Sequence, residues 1–454
     1  MRRDARAVPR AFRAVTLADR LRPPRGVLDV AARLERDGHE AWCVGGAVRD
    51  ALLGHASLDW DLATSATPPV VQRLFRRTVP KGVEFGTVGV FDREGVLHEV
   101  TTFRRDVQTD GRHAVVEFGA SLVDDLARRD FTINAIAYRP ATGQVEDPFD
   151  GAGDASRRLV RAVGDAPTRM REDRLRALRA IRFASRFAFA IDPATWAAVV
   201  ESAPYLTRLS PERVREELDK TMRQVRCPSD ALLRWHDAGA LAVLVPALAM
   251  QPTVALTTVD HVAPPTLAGR PQRLPNRLAA PWLGIARPEV ERGLRALRAS
   301  NHEVRWTADV TDRAGRLLEI ARAALTAVAG PTDADLRRWA AACGRMLAAP
   351  SFRLVAARFA AERRVGGASS TASATPSAAR VRSAYRRLVR IAYRDPIEVA
   401  DLAVSGSDLA AAGIPAGPAV GATLRGLLDD VVDDPARNTR AWLLARAAGH
   451  AAGG

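Results

Sequence analysis

The sequence is poor in cysteine and in long apolar runs, and each shortage excludes a class of protein. Its three cysteines, Cys43, Cys227 and Cys343, lie far apart in 454 residues. This spacing excludes a disulfide-stapled scaffold and paired zinc or redox motifs, and it favours a reducing, cytoplasmic setting. No uninterrupted apolar run is long enough to span a bilayer, so we expect no membrane partner.

Lysine is also scarce, while arginine is abundant. Among 67 basic residues only Lys81 and Lys220 are lysines, and the formal net charge is +15. Such a charge suggests a polyanionic partner, because phosphate neutralisation drives nucleic-acid binding. A GC-rich genome also produces an arginine bias, so the charge supports nucleic acid only together with site chemistry. Residues 1–26 lack the apolar core of a secretory signal and are expected to form a basic, flexible arm.

Apolar periodicity predicts a small α+β unit with a mixed sheet, followed by helices. The expected elements are helices over 27–38, 47–53 and 70–75, strands over 41–44 and 58–63, and a hairpin over 87–91 and 96–101. From about residue 166 the pattern is almost wholly helical. Small polar residues over 366–379 indicate a flexible surface loop. The length allows roughly two to four domains.

Two glycines precede a predicted helix in Val44-Gly45-Gly46-Ala47-Val48-Arg49-Asp50. At a strand-to-helix turn, Gly45 and Gly46 let backbone N–H groups approach an anion, and the helix N-terminus adds the positive end of its dipole. Arg49, one turn into the helix, adds a guanidinium to the same anion. A lone Gly-Gly pair is typical of an ordinary turn, so the interpretation as a phosphate cradle needs a second signal.

That second signal is Asp59-Trp60-Asp61, nine residues further on. The aspartates are two apart, so on a strand both carboxylates point to one face and can converge on hard divalent cations. Alone, the pair is more typical of a solvated strand end or a helix cap. In the order strand, Gly-Gly, helix, strand, Asp-x-Asp, the two signals predict metal-assisted phosphoryl or nucleotidyl transfer.

A second motif, Arg128-Arg129-Asp130-Phe131-Thr132-Ile133-Asn134, opens an apolar, helix-compatible run. Helical spacing puts Asp130 and Asn134 on one face, four residues apart. An Asp or Asn beside an arginine can hold a ribose hydroxyl and a phosphate together. A capped helix with an exposed ion pair would explain this motif if it stood alone.

In a third motif, charged residues recur every three positions. These are Asp173, Arg176, Arg179 and Arg182, and their spacing predicts a ladder down one side of a helix. An Asp–Arg pair can read the Watson–Crick edge of a base, because the carboxylate accepts from the amino group of cytosine or adenine, where uracil and guanine present a carbonyl. The deeper arginines suit a triphosphate. A solvated charged face is the alternative explanation.

Taken in order, these motifs resemble GGxVRD, DxD, RRDFTxNAIA and EDxxRxxRxxRF of the class II nucleotidyltransferase superfamily, and specifically of the tRNA CCA-adding enzymes. The resemblance implies an α+β fold, with a polymerase-beta-like nucleotidyltransferase head containing a small mixed sheet and an all-α neck, body and tail. It is strong over 27–222, fades over 223–395 and returns over 401–445. The expected domains are an arm (1–26), head (27–164), neck (165–225), body (226–380) and tail (381–454).

The resemblance also implies a role for each motif residue. The catalytic residues and ligands of two Mg²⁺ are Asp59 and Asp61; the phosphate contacts are Gly45, Gly46, Arg49, Arg179 and Arg182; the ribose contacts are Arg129, Asp130 and Asn134; and the base contacts are Asp173 and Arg176. Residues 99–104 and 109–113 look like a flexible loop before the second motif. CTP and ATP are the implied substrates. The helical remainder is expected to bind tRNA by shape and phosphates.

The implied reaction is template-independent addition of C, C and A to the 3′ end of tRNA. A CC-adding enzyme, an A-adding enzyme and a poly(A) polymerase are alternatives; the loop at 101–113 favours full addition, and the tail argues against a poly(A) polymerase. A non-catalytic RNA-binding protein of the same fold is a further alternative, against which the presence of both aspartates argues. The lone dipeptide His236-Asp237 does not predict a phosphohydrolase site.

Overall fold

The computed structural model describes residues 17–56, 59–109, 114–263, 273–365, 375–415 and 417–451. Most of the predicted arm, most of the 366–379 loop and part of the 109–113 loop lie outside these residues. The chain divides into two compact units between Leu209 and Ser210, a boundary that falls inside the predicted neck. The first unit combines a sheet with helices, and the described residues of the second unit form helices and turns.

The elements of the first unit follow the predicted order. Its helices are α1 (Leu17–Arg20), α2 (Arg25–Arg36), α3 (Gly46–Leu52), α4 (Pro68–Leu74), α5 (Leu122–Ala127), α6 (Gly151–Arg157), α7 (Ala166–Glu172), α8 (Leu175–Phe187) and α9 (Pro193–Ser202). Its strands are β1 (Ala41–Val44), β2 (Asp61–Thr64), β3 (Thr78–Pro80), β4 (Thr87–Phe91), β5 (Leu97–Thr102), β6 (Arg104–Thr109), β7 (Ala114–Phe118), β8 (Ala137–Arg139), β9 (Gln144–Glu146), β10 (Leu159–Val160) and β11 (Ala190–Ile191).

The main sheet is mixed, as the sequence predicts. Its strand order is β3-β4-β5-β2-β1-β8-β9. Strands β2 and β5 run parallel, with Leu62 paired to Val100, whereas β1 pairs antiparallel with both β2 and β8. The predicted hairpin forms from β4 and β5, with Val88 opposite Val100.

Each face of this sheet has its own core. Leu62, Val88 and Val100 pack in one cluster with Val27 and Val30 of α2. On the other face, a second cluster contains Val44, Ala63, Ala135 and Ala137 of the sheet region together with Leu126 of α5. Because neighbouring strand residues alternate between faces, Asp61 and Glu99 point away from the face of Leu62 and Val100.

Several predicted element boundaries shift for local reasons. The first predicted helix ends at Arg36, two residues early, because Asp37 caps it and Gly38 turns the chain with φ of +86°. The helix predicted over 70–75 begins at Pro68, since proline suits the first turn of a helix. The strand predicted over 58–63 begins only at Asp61, so Asp59 precedes it.

The second unit contains α10 (Pro211–Gln224), α11 (Pro228–Asp237), α12 (Ala240–Leu244), α13 (Pro246–Ala249), α14 (Thr253–Thr257), α15 (Arg273–Ala279), α16 (Arg287–Ala296), α17 (Asn301–Thr326), α18 (Asp333–Cys343), α19 (Arg345–Val365), α20 (Ala378–Arg394), α21 (Gly406–Ala411), α22 (Pro418–Asp433) and α23 (Arg440–Ala451). Its largest buried cation, Arg277, donates to the backbone oxygens of Met222, Val225, Arg226 and Val262. This arginine thereby satisfies carbonyls at the end of α10.

All three cysteines are free thiols, as expected, and Cys43 and Cys343 are buried. Among the described residues, no helix combines the length and apolar character needed to cross a bilayer.

Candidate active site

The Gly45-Gly46 turn lies against two other motif residues. Strand β1 ends at Val44, and Gly45 then adopts φ of 75° and ψ of −133° before α3 begins. A Cβ atom built on Gly45 would lie 3.0 Å from Arg129 Nη1 and 3.9 Å from Asp61 Oδ2. Glycine is therefore required here both by the positive φ and by the close approach of the Arg129 guanidinium.

The predicted carboxylate pair stands at the start of β2. Asp61 pairs with Val44 at the end of β1 and is half-buried, whereas Asp59 is exposed. Burial raises the pKa of Asp61 to about 7, and the negative charges of Asp59 and Glu99 act in the same direction against the positive charges of Arg129 and Lys81. This raised pKa marks a place where negative charge is concentrated without full neutralisation.

Glu99 and Lys81 were not predicted as site residues. Glu99 lies in β5, as the strand predicted over 96–101 requires. The resemblance also implied a flexible loop over 99–104 and 109–113, and this loop is wrong over its described part, since residues 97–102 and 104–109 form strands. The pairing of Leu62 with Val100 puts Glu99 beside Asp61. Lys81 Nζ lies 2.7 Å from Glu99 Oε1. Alternation in the predicted 96–101 strand puts Glu99 on the face opposite Val100, but no local pattern predicts that this strand lies beside β2.

Both terminal nitrogens of the Arg129 guanidinium donate hydrogen bonds within the protein. Its Nη2 donates to Asp125 Oδ2 at 3.1 Å and its Nη1 to the backbone oxygen of Asn134 at 3.4 Å. Asp125 is fully buried, and Arg128 also contacts it at 2.7 Å. The Nε of Arg129 is buried and has no hydrogen-bond partner among the described residues. The Arg129 atom beside Gly45 is Nη1, so an anion in this turn would lie next to the positive charge of the guanidinium.

Asp130 and Asn134 meet as predicted, but not on an α-helix. The backbone makes only a 3-10 turn over Thr132–Asn134, so the expected helix is wrong. Asn134 Nδ2 donates to Asp130 Oδ1 at 2.8 Å, and Arg179 Nη2 lies 2.7 Å from Asp130 Oδ2. Burial alone would raise the pKa of Asp130, but the charge of Arg179 and the hydrogen bonds from Asn134 and Arg179 hold it at about 2.

Arg49 lies inside the unit, with 4% of its surface exposed. It donates to Asp50 Oδ1 and to Asn134 Oδ1, the latter at 2.5 Å from Nη1. Its guanidinium carbon lies 4.9 Å from the ring centres of both Phe183 and Phe187. Arg49 therefore connects α3 to the second motif and to α8, while its phosphate contact stays a prediction.

The third motif does not form one continuous helix. Helix α7 ends at Glu172, Asp173 is extended with φ of −151° and ψ of 104°, and α8 begins at Leu175. The predicted unbroken ladder is wrong because the Asp173 carboxylate accepts from the Leu175 N–H at 3.1 Å. An aspartate that binds the backbone two residues ahead favours a turn or a helix start over a helix interior.

The three arginines of this motif all lie on α8. Arg176 donates to Glu172 Oε2 at 2.6 Å and to the Arg128 backbone oxygen at 3.0 Å, which joins α8 to the second motif. Arg179 forms an ion pair with the Asp130 carboxylate. The guanidinium carbon of Arg182 lies 4.3 Å from the Phe183 ring centre, and only 4% of Arg182 is exposed.

The structure thus brings together two adjacent groups of predicted residues. Asp61, with Asp59 and Glu99 in its electrostatic surroundings, lies close to Gly45 and Arg129, and Asn134 connects Arg129 to Arg49, Asp130 and Arg179. Asp173 and Arg176 lie at the start of α8. Carboxylates beside guanidinium groups suit a polyphosphate carried with a hard divalent cation.

Asp59 and Asp61 suit magnesium as partial ligands, with the rest of the coordination shell supplied from outside the protein. Within the described part of the chain, no group of three or more acidic, histidine or cysteine side chains forms a closed metal cage. Magnesium is usually held by one or two carboxylates, with water and substrate phosphate completing its shell. Asp59 and Asp61 supply oxygen donors of this kind. The pKa of Asp61 is raised mainly by burial and further by the negative charges of Asp59 and Glu99, and a bound cation would offset both effects.

Comparison with known proteins supports the same family. Residues 41–161 match the family model described as "Poly A polymerase head domain", and 188–251 match "Probable RNA and SrmB- binding site of polymerase A". A CCA-adding enzyme of Geobacillus kaustophilus is 35% identical over 440 residues, which cover 94% of this chain and 98% of the relative. One from Limosilactobacillus fermentum is 44% identical over 209 residues, which cover 46% of this chain and 51% of the relative.

A solved structure extends the likeness to three dimensions. The crystal structure of the Bacillus stearothermophilus CCA-adding enzyme in complex with CTP superimposes with a TM-score of 0.65 and 30% sequence identity. The superposition covers 95% of this chain and 100% of that enzyme.

Proposed function

Because the chain belongs to the family of CCA-adding enzymes, which are nucleotidyltransferases, we propose that it adds C, C and A to the 3′ end of tRNA. CTP and ATP are the substrates and pyrophosphate leaves. The observation that carries this proposal is the approach of Gly45 to both Arg129 and Asp61, since it puts a phosphate-binding turn beside the carboxylates.

Asp59 and Asp61 are proposed to hold two Mg²⁺ ions. When bound, such ions supply Lewis-acid stabilisation of the transferring phosphoryl group and ease deprotonation of the RNA 3′-hydroxyl. Glu99 adds negative charge beside Asp61, and Lys81 limits that charge through its contact with Glu99. The solved structure of a CCA-adding enzyme with 30% identity is a complex with CTP, which supports a nucleotide substrate for this chain.

The basic residues are proposed to orient the nucleotide. The absence of a Cβ on Gly45 leaves space beside Arg129 Nη1, so the turn and the positive charge of Arg129 together suit a phosphate. Asp130 and Asn134 are proposed to face the ribose and Asp173 and Arg176 the base. The remaining phosphate contacts in the proposal are Gly46, Arg49, Arg179 and Arg182.

The first experiment replaces the carboxylates. Asp59→Ala and Asp61→Ala are expected to abolish incorporation of labelled CMP and AMP while leaving tRNA binding largely intact. Asp29→Ala is the matched control, since Asp29 is an exposed aspartate of the same unit. Incorporation near the wild-type rate in either site variant would exclude that residue as a metal ligand.

The second experiment separates full CCA addition from narrower activities. A tRNA that ends at the discriminator base is offered CTP alone, ATP alone, and both. Full addition predicts two C residues with CTP, no extension with ATP, and a complete CCA end with both. Extension by ATP alone indicates a poly(A) polymerase, and arrest after CC with both nucleotides indicates a CC-adding enzyme. The expected cytoplasmic location remains part of this proposal.

A further inference from the structure

A cavity of about 370 Å³ lies in the second unit, between α19, α20 and the 3-10 turn Thr258–His261. Its cationic lining residues are Arg353, Arg382 and Arg386, and its apolar floor includes Ala357 and Val381. No acidic side chain lines it in the part of the chain that the structure describes. Arg382 and Arg386 are exposed, and neither forms an ion pair with another described residue.

Two acids on the elements that border the cavity, Asp260 and Glu362, already have cationic partners. Asp260 accepts from Ser229 Oγ at 2.6 Å and lies 3.3 Å from Arg364. Glu362 contacts Arg322 at 2.7 Å. Among the described residues, no acid that lines the cavity balances the charge of its arginines, so this lining carries a positive potential.

The cavity wall is rigid on one side. Tyr385 accepts a hydrogen bond from Arg353 Nη2 at 2.7 Å, and its ring stacks on Phe352 with centroids 6.2 Å apart. Phe352 stacks in turn on Trp339 at 5.9 Å. This column fixes Tyr385 and Arg353 before any ligand arrives, which reduces the ordering cost of binding.

His261 provides a second, independent indication of a missing partner. It borders the cavity, and its buried Nε2 has no hydrogen-bond partner among the described residues. Buried polar nitrogens are rarely left unpaired, and such an atom beside a cationic cavity suits an oxygen of an anion.

We propose that this cavity binds a phosphodiester of RNA, with the phosphate between Arg382 and Arg386 and the sugar against the apolar floor. The two arginines are four residues apart on α20, so their side chains stand on one face of the helix. The assignment to RNA rests on the proposed function, because a tRNA substrate presents many phosphates to the helical unit. Inorganic phosphate and the free nucleotides CTP and ATP share this chemistry and are the competing sources.

The test measures tRNA affinity across a range of salt concentrations. The double variant Arg382→Gln/Arg386→Gln is expected to weaken binding of a tRNA lacking CCA about tenfold. It should also reduce the slope of log affinity against log salt by about 1. Both residues are exposed, so the melting temperature should stay unchanged. Arg305→Gln is the matched control, since Arg305 is exposed on α17, has no ion pair among the described residues and does not line the cavity.

Three results would overturn the proposal. They are equal losses in the double variant and the Arg305 control, unchanged tRNA affinity in the double variant, or weakened binding of CTP or inorganic phosphate at unchanged tRNA affinity. The proposed function is tested separately: if the unaltered protein incorporates no CMP or AMP, that function fails, whereas an unaffected double variant that still completes CCA ends rejects only the cavity.

Discussion

Arg179 donates to one oxygen of Asp130 from two nitrogens, Nε at 2.8 Å and Nη2 at 2.7 Å. The other Asp130 oxygen accepts from Asn134 Nδ2 and from the Phe131 N–H, each at 2.8 Å. One buried carboxylate therefore connects α8 to the turn that follows α5. The motifs expected to hold base and ribose are joined at this residue.

Asp130→Asn is expected to lower the free energy of unfolding by roughly 2 kcal/mol at neutral pH. The folded-state pKa of Asp130, about 2, lies below its ordinary value of 3.8. Its stabilisation is therefore present above pH 4 and lost as the pH falls toward 2. Urea unfolding of both proteins across this range measures the difference, and a difference that does not shrink with acidification would contradict the assignment.

Gly45→Ala is expected to reduce both stability and CTP incorporation. An alanine here would have to keep the positive φ of 75°, which residues with a side chain rarely adopt. Its Cβ would also lie 3.0 Å from Arg129 Nη1, so the guanidinium must move. Gly54→Ala is the control, because Gly54 has φ of +77° and nothing within 4 Å of its Cβ position. Both variants should lose roughly 1 kcal/mol or more of stability. Only Gly45→Ala should raise the KM for CTP; an equal KM effect in both would refute the Arg129 contact.

Asp59→Asn is expected to stabilise the protein in the presence of a chelator while abolishing incorporation. The raised pKa of Asp61, about 7, means that the folded state binds more protons than the unfolded state between about pH 4 and 7. Stability therefore falls as the pH rises through this window. Removing the Asp59 charge weakens its repulsion of the Asp61 carboxylate. We expect the free energy of unfolding to rise by roughly 0.5 to 1 kcal/mol at pH 8 after allowance for solvent screening.

Thermal unfolding with EDTA at pH 5 and pH 8 checks this expectation. The gain should be larger at pH 8, where Asp61 is ionised in the parent protein. Asp29→Asn, at an exposed site on α2, should show no such pH dependence. A gain of equal size at both pH values would exclude charge repulsion as its cause.

Arg176→Ala is expected to reduce discrimination against UTP and GTP by about tenfold, because its predicted role is to read the base edge. Arg49→Ala should instead weaken triphosphate binding and lower the free energy of unfolding by roughly 3 kcal/mol, since Asp50 and Asn134 lose a buried partner. Incorporation of all four nucleotides and urea unfolding separate the two effects. Equal consequences for both variants would remove this division of roles.

Local sequence patterns sufficed for the elements that depend on near neighbours. The β1 strand, the Gly45-Gly46 turn and the β4–β5 hairpin formed as predicted, because alternation and turn residues determine them locally. The meeting of Asp130 and Asn134 was also predicted, although for the wrong backbone geometry. A spacing of four residues brings side chains together in more than one compact conformation.

Long-range pairing determined what the sequence could not predict. Glu99 joins Asp61 only because β5 runs parallel to β2, and no local spacing encodes that adjacency. The break at Asp173 arose because its carboxylate competes with the helix for a backbone N–H. Arg49 was predicted at an open phosphate site, yet its partner Asn134 lies 85 residues away in the sequence.

The parallel pairing of Leu62 with Val100 positions the acids Asp61 and Glu99 as well as the core residues of β2 and β5. The acids alternate with Leu62 and Val100 along β2 and β5, so a slip of one residue would exchange them between the two faces of the sheet. A mispaired sheet would bury Asp61 or Glu99 against α2 and lose its hydrophobic support at the same time. A single strand register therefore determines both the stability of the sheet and the position of the acids.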